Sequence, residues 1–141
     1  MSIVVDSSVV AKRLVSETDS DKARSLLLSW ARGGLDLVAP EILAVEIANM
    51  LWKRAVRRLL PAEKIFDLYS DFQDLQIPLW PTEHLMAGAL QLAVGQQHPV
   101  SDCVYVALAS QTGSELVTAD ERLFRAFKLV LPGIRLLRDW A

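Results

Sequence analysis

At 141 residues, with 52% hydrophobic content and a mean hydropathy of +0.26, the chain has the size and apolar content of one compact domain, long enough to bury a substantial core. Fifteen basic against 17 acidic residues give a net charge of -2, which excludes a global positive field, so any polyanion has to be held locally by a metal or a basic patch. One cysteine excludes an intrachain disulfide. The start lacks a basic segment before an apolar stretch, and Leu85 to Val94 is short and carries Gln91, so a soluble, cytoplasmic protein is expected.

Ser2-Ile3-Val4-Val5 is a short β-branched run ended by Asp6. Ser7 to Leu14 then predicts a helix with Ser7 or Ser8 as its cap. After the polar connection from Glu17 to Asp21, Ala23, Leu26, Leu27, Trp30 and Ala31 recur at helical spacing, ended by Gly33-Gly34. Leu35 to Ala39 predicts a second strand stopped by Pro40, which suits the first turn of the helix that follows. That helix is predicted from about Glu41 to Arg57. Its apolar positions cover most of its surface, which predicts a largely buried helix, and within it Glu46 and Asn49 share one face. Glu41 is explained by the helix dipole, as is the cluster Lys53, Arg54, Arg57 and Arg58 at the far end, for which phosphate contact is the alternative.

Leu60-Pro61-Ala62-Glu63 starts another helix, striped by Ile65, Phe66, Leu68, Tyr69 and Phe72. A third strand is expected from Gln76 to Leu79, then a helix from Thr82 and Glu83. His84 and His98 lie far apart without metal-ligand spacing, and both read as surface or loop residues. The next helix begins at Ser101 or Asp102 and runs through an almost wholly apolar segment to Gly113, with Cys103 as a small buried hydrophobe. Leu116-Val117-Thr118-Ala119 is a fourth strand delivering Asp120 to a short helix carrying Leu123, Phe124 and Phe127. Pro132-Gly133 turns the chain into a last strand, Ile134 to Leu137.

Strands alternating with helices at this spacing imply right-handed crossovers and a mostly parallel sheet with helices on both faces. Two strands that each end in aspartate place Asp6 and Asp120 at one sheet edge, where open α/β sheets hold ligands. Three of the acids also have a local explanation: a solvated gap in the apolar surface or a structural ion pair for Glu46, and a helix cap for Asp102 and for Asp120. Taken together, Asp6, Glu46, Asp102 and Asp120 offer hard oxygen donors suited to Mg²⁺ or Mn²⁺. With no histidine or free thiol placed beside them, metal-assisted attack by water is the chemistry that needs only acids.

Three segments carry a resemblance: Val4-Val5-Asp6-Ser7-Ser8, Pro40-Glu41-Ile42-Leu43-Ala44-Val45-Glu46-Ile47-Ala48-Asn49, and Ser101-Asp102-Cys103-Val104-Tyr105-Val106-Ala107-Leu108-Ala109 followed by Leu116-Val117-Thr118-Ala119-Asp120. In that order they resemble the PIN-domain nucleases, particularly the VapC-type toxins of bacterial toxin–antitoxin pairs. The resemblance implies one PIN-like domain over residues 1–141, a three-layer α/β/α sandwich around a parallel sheet of about five strands. It also implies Mg²⁺- or Mn²⁺-dependent RNA cleavage, a homodimer and a small antitoxin protein that blocks the site. The family's catalytic and metal-binding acids fall on Asp6, Glu46, Asp102 and Asp120, with Ser7, Asn49 and Thr118 in support. Cys103 departs from the pattern, where a small alanine is more usual.

A phosphoacceptor receiver domain would need an early acidic pair and a lysine after its last strand, and neither is present. A haloacid-dehalogenase-like phosphatase would need an aspartate where Ser8 stands. A non-catalytic binding module, whose acidic pocket docks a basic partner peptide, is the alternative from a different functional class.

Overall fold

In the computed structural model, which describes residues 1–140, the chain runs β1 (Ser2–Val5), α1 (Ser7–Leu14), α2 (Ser20–Ala31), β2 (Asp36–Pro40), α3 (Ile42–Val56), α4 (Ala62–Leu75), β3 (Leu79–Trp80), α5 (Met86–Gln96), α6 (Val100–Thr112), β4 (Glu115–Thr118), α7 (Glu121–Phe127) and β5 (Ile134–Leu136). The five strands form one sheet in the order β3-β2-β1-β4-β5. Every pairing is parallel. From β1 the chain builds outward through β2 to β3, then crosses back to lay β4 on the other side of β1. The order therefore reverses between β1 and β4, which opens a crevice beyond their carboxyl ends.

Side chains alternate across each strand, so each strand feeds two cores. Ile3 and Val5 pack with Val9, Leu26, Leu43, Ile47, Leu68 and Phe72 from α1 to α4. Val4 and Leu116 pack on the opposite face with Ala89, Val104, Leu108, Leu123 and Phe127 from α5 to α7. Helices thus cover both faces, giving the expected three-layer α/β sandwich. No helix among the described residues is long and apolar enough to cross a membrane.

The burial of α3 is narrower than its composition predicts. Leu43, Ile47 and Leu51 are at most 1% exposed, whereas Val45, Trp52 and Val56 stand in solvent at 58–66%. Each fully buried aliphatic side chain stabilises by about 1.5–3 kcal/mol, so three on one stripe are enough to seat the helix and the remaining apolar residues are left as surface. Pro40 belongs to β2, paired with Trp80, and does not open α3, which begins at Ile42.

Strand β3 also lies later than expected. α4 persists to Leu75, and Gln76 takes a left-handed conformation (φ 51°) that ends it; Ile77 is buried, and only Leu79 and Trp80 pair at the sheet edge. The helix after Asp6 is not capped by a serine side chain, because Ser8 is engaged elsewhere.

Candidate active site

Asp6 stands one residue past β1. Its N–H donates to the Val117 carbonyl of β4 at 3.1 Å, extending the ladder by one bond and fixing the residue beside Thr118. The carboxylate is only 4% exposed, and its Oδ2 accepts from Ser8 Oγ at 2.6 Å and Thr118 Oγ1 at 2.7 Å. Ser8 Oγ also accepts from the Ala119 N–H at 2.9 Å, and Thr118 Oγ1 from the Asp120 N–H at 3.0 Å. Two hydroxyls therefore bind the ends of β1 and β4 to each other. Burial pushes the Asp6 carboxyl above the usual range, the two hydroxyl bonds pull it down, and the charges of Asp102 and Asp120 push it up again.

Glu46 reaches the same place from α3. Its Oε1 accepts from the Tyr105 hydroxyl of α6 at 2.5 Å. Its carboxyl is also raised, first by burial and then by Asp6 and Asp102, while the Tyr105 bond opposes the rise. Tyr105 is fully buried, and burial together with Asp6 and Glu46 keeps its hydroxyl a protonated donor.

Asp102 lies in the first turn of α6, whose cap position is Pro99, so it does not cap that helix. Its Oδ2 is 2.8 Å from Nε2 of His98. Asp120 does cap α7: Oδ1 accepts from the N–H groups of Arg122 at 2.9 Å and Leu123 at 3.3 Å. The cap and the site are compatible, because the cap uses one oxygen only.

Asp6, Glu46, Asp102 and Asp120 line one depression of about 170 Å³ with Ser7, Ser8 and Met50. Asp6, Asp102 and Asp120 each commit a single oxygen to the protein, and Asp6 Oδ1, Asp102 Oδ1 and Asp120 Oδ2 have no hydrogen-bond partner among the described residues; the Glu46 carboxyl has the Ser7 hydroxyl beside it as well as Tyr105. This is a set of fixed carboxylates, three of them with one donor atom left over. No three acidic, histidine or cysteine side chains among the described residues already stand close enough to clasp an ion. Mutual repulsion favours such spread side chains, at roughly 4 kcal/mol for two charges 4 Å apart in a medium of effective dielectric near 20.

The supporting residues divide. Thr118 is fully buried against Asp6 and Ser7 lines the acidic depression, but Asn49 does not. Asn49 lines an adjoining groove of about 390 Å³, which shares Ser7, Glu46 and Met50 with the acidic depression and continues past Lys53, Arg54 and Arg57. Arg54 is already paired with Glu17 at 3.0 Å.

Ser8, Tyr105 and His98 were not expected at the site. Tyr105 is three residues beyond Asp102, hence on its face of the helix, and that spacing could have found it. His98 lies in a loop as expected, yet its side chain is 7% exposed, which corrects the surface reading; His84, at 72%, fits it. Cys103 is buried and burial, with Asp102 nearby, pushes its thiol up to about 11, which suits a packing role.

A profile of the PIN domain matches residues 3–129. Ribonuclease VapC3 of Pyrobaculum aerophilum is 34% identical over 137 residues, spanning 94% of this chain and 100% of that protein. Ribonuclease VapC12 of Mycobacterium tuberculosis is 31% identical over 113 residues, 74% of this chain and 86% of that one. Among solved structures, a toxin–antitoxin complex from Klebsiella pneumoniae matches with a TM-score of 0.68 at 16% identity over 96% of this chain and 97% of that one. VapBC2 from Rickettsia felis, bound to a DNA fragment from its promoter, matches at 0.65 and 13% over 96% and 97%. These two are likenesses of fold, whereas the profile and the sequence relatives agree over most of the chain: it belongs to the PIN domain family.

Proposed function

We propose that the chain is an Mg²⁺- or Mn²⁺-dependent endoribonuclease, the toxin of a type II toxin–antitoxin pair, which hydrolyses a phosphodiester bond in RNA with water as nucleophile. The observation that carries this reading is the depression at the β1/β4 crevice, where four carboxylates meet and Asp6, Asp102 and Asp120 each keep one oxygen free. Hard carboxylate donors fit these ions and disfavour thiol-seeking ones. A bound ion would neutralise phosphate charge and lower the pKa of an attacking water. The names of the sequence relatives, ribonucleases both, support the substrate class.

The chain's own groups supply the rest. Ser8 and Thr118 orient Asp6, Tyr105 orients Glu46, and the α7 backbone orients Asp120. A carboxylate of this set that no ion engages is suited to accept the proton that water gives up. The adjoining groove gives the RNA strand a course along α3: Lys53 and Arg57 follow Glu46 by seven and eleven residues, about 10 and 16 Å along the helix axis, and both line it.

Partners belong to the same proposal. A small antitoxin partner is supported by the toxin–antitoxin complex of the same fold, and the charge of the acidic pocket suits an arginine or lysine from it. A homodimer is supported by apolar surface left uncovered: Trp52, Val56 and Phe66 on α3 and α4, and Met86, Leu90 and Val94 on α5, are each 41–75% exposed. Purified protein should cut structured RNAs in loops or single strands with Mg²⁺ or Mn²⁺; undiminished cleavage in excess EDTA would sink the mechanism. Light scattering at micromolar concentration should give twice the chain mass.

A further inference from the structure

We propose that His98 is a positioning residue for Asp102: it fixes one carboxylate oxygen so that the other is presented to the acidic depression. This rests on the catalytic reading above.

His98 is held through both its backbone and its ring. Gln97 takes a left-handed conformation (φ 52°) that ends α5, and the His98 N–H donates back to the Ala93 carbonyl at 3.1 Å. Pro99 follows as the cap residue of α6, and the Cys103 thiol donates to the His98 carbonyl at 3.8 Å. The ring stands edge-on to Phe127 of α7, centroids 5.7 Å apart at 81°. Backbone and ring are thus set by α5, α6 and α7 together, and the side chain is 7% exposed.

From that seat Nε2 lies 2.8 Å from Asp102 Oδ2. A carboxylate only accepts, so Nε2 carries the proton. An aspartate in a helix's first turn otherwise tends to fold back onto nearby backbone N–H groups. The imidazole competes with that for one oxygen, and Oδ1 keeps no partner among the described residues. Groups that hydrogen-bond ligating carboxylates in this way typically alter metal affinity or activity by about 10- to 100-fold.

The test compares His98→Leu, which keeps apolar bulk without a donor, with His98→Gln, whose amide can restore one. Melting temperature is followed against Mn²⁺ without RNA, and turnover is measured separately. His98→Leu should need about 10- to 100-fold more Mn²⁺ for half of the thermal shift and lose kcat with little change in KM for RNA; His98→Gln should recover most of both. In an Asp102→Asn background, His98→Leu should add nothing further. A wild-type Mn²⁺ response in His98→Leu, or equal damage in His98→Gln, overturns the proposal while the catalytic reading stands. A wild-type protein that neither shifts with Mn²⁺ nor cuts RNA overturns both.

Discussion

Asp6 and Asp120 are built alike and held differently. Each follows a parallel strand at the centre of the sheet and each precedes a helix. Asp6 is buried, bonded to two hydroxyls, and leaves α1 without a side-chain cap. Asp120 is half-buried and caps α7 through two backbone N–H groups. The residue two positions earlier explains the difference: Thr118 precedes Asp120 and turns its hydroxyl toward Asp6, whereas Val4 precedes Asp6 and has no hydroxyl to return. The neighbouring strand therefore holds the first acid, and its own helix holds the second. One local pattern yields a buried, proton-hungry carboxylate and a partly solvated one.

The largest effect should come from removing the buried acid. Asp6→Asn keeps the shape but takes away the charge at the centre of the depression, and RNA cleavage should fall on the order of 10²–10³-fold, the usual size for losing one preorganised electrostatic group. Thr118→Val, which removes one of the two hydroxyls, should fall between that variant and wild type. Cleavage rates with Mn²⁺ decide this, and an Asp6→Asn protein that retains full activity would exclude Asp6 from the chemistry.

A second expectation concerns pH. Asp6 and Glu46 have carboxyls raised above their ordinary values of 3.8 and 4.5. Between the ordinary and the raised values the folded protein binds more protons than the unfolded chain, so stability falls as pH rises through that window. The contribution is fully present below the ordinary values and is lost above the raised ones. In a chelator, melting temperature should decline as pH climbs out of the acid range, and the decline should be shallower in Asp6→Asn and in Glu46→Gln. An unchanged slope in both variants would mean that neither carboxyl is raised by burial.

Asp120 sharpens the comparison at smaller cost. Asparagine caps a helix about as well as aspartate, whereas alanine loses about 1 kcal/mol. Asp120→Ala should therefore melt a few degrees lower in EDTA, and Asp120→Asn at or above wild type because it sheds repulsion and keeps the cap. With Mn²⁺ the order of wild type and Asp120→Asn should reverse, since an ion bound only by the folded state stabilises it. If Asp120→Asn is as damaged as Asp120→Ala in EDTA, repulsion at the site is negligible.

Asp6, Asp120 and Glu46 could be singled out because each sits at a feature that sequence encodes locally. Asp6 and Asp120 end apolar strand-like runs, and Glu46 interrupts an apolar helix. Their partners were less legible, because a hydrogen bond across the sheet, such as Thr118 to Asp6 over 112 positions, leaves no short-range spacing. His98 lies in a loop as expected but was not placed beside Asp102: without a helical frame around it, its four-residue spacing to Asp102 carried no meaning, and it is the ring's seat against Phe127 that turns its side chain inward. Similarly, the composition of α3 overstated its burial, because an apolar side chain on a surface looks the same in sequence as one in a core. The short strand at Leu79–Trp80 was misplaced because Gln76 ends α4 by adopting a positive φ, which glutamine does not advertise.

The smallest effect is expected along the groove. Lys53 and Arg57 line it beside Glu46, Arg54 is engaged with Glu17, and Arg58, one residue on, does not line it. If a single strand lies there, each phosphate contact that is lost should lower the slope of log affinity against log salt by about 0.7. An exposed charge pair is worth about 0.2–1 kcal/mol, so each single substitution should weaken binding no more than about fivefold. Fluorescence anisotropy with a short single-stranded RNA, on an Asp6→Asn background that binds without cutting, measures both quantities. Lys53→Ala and Arg57→Ala should each flatten the slope, and Arg58→Ala should leave it unchanged. The control matters because all three changes alter net charge equally: only a strand following the groove makes their effects differ, and equal slopes would reduce the cluster to the solvated end of a helix.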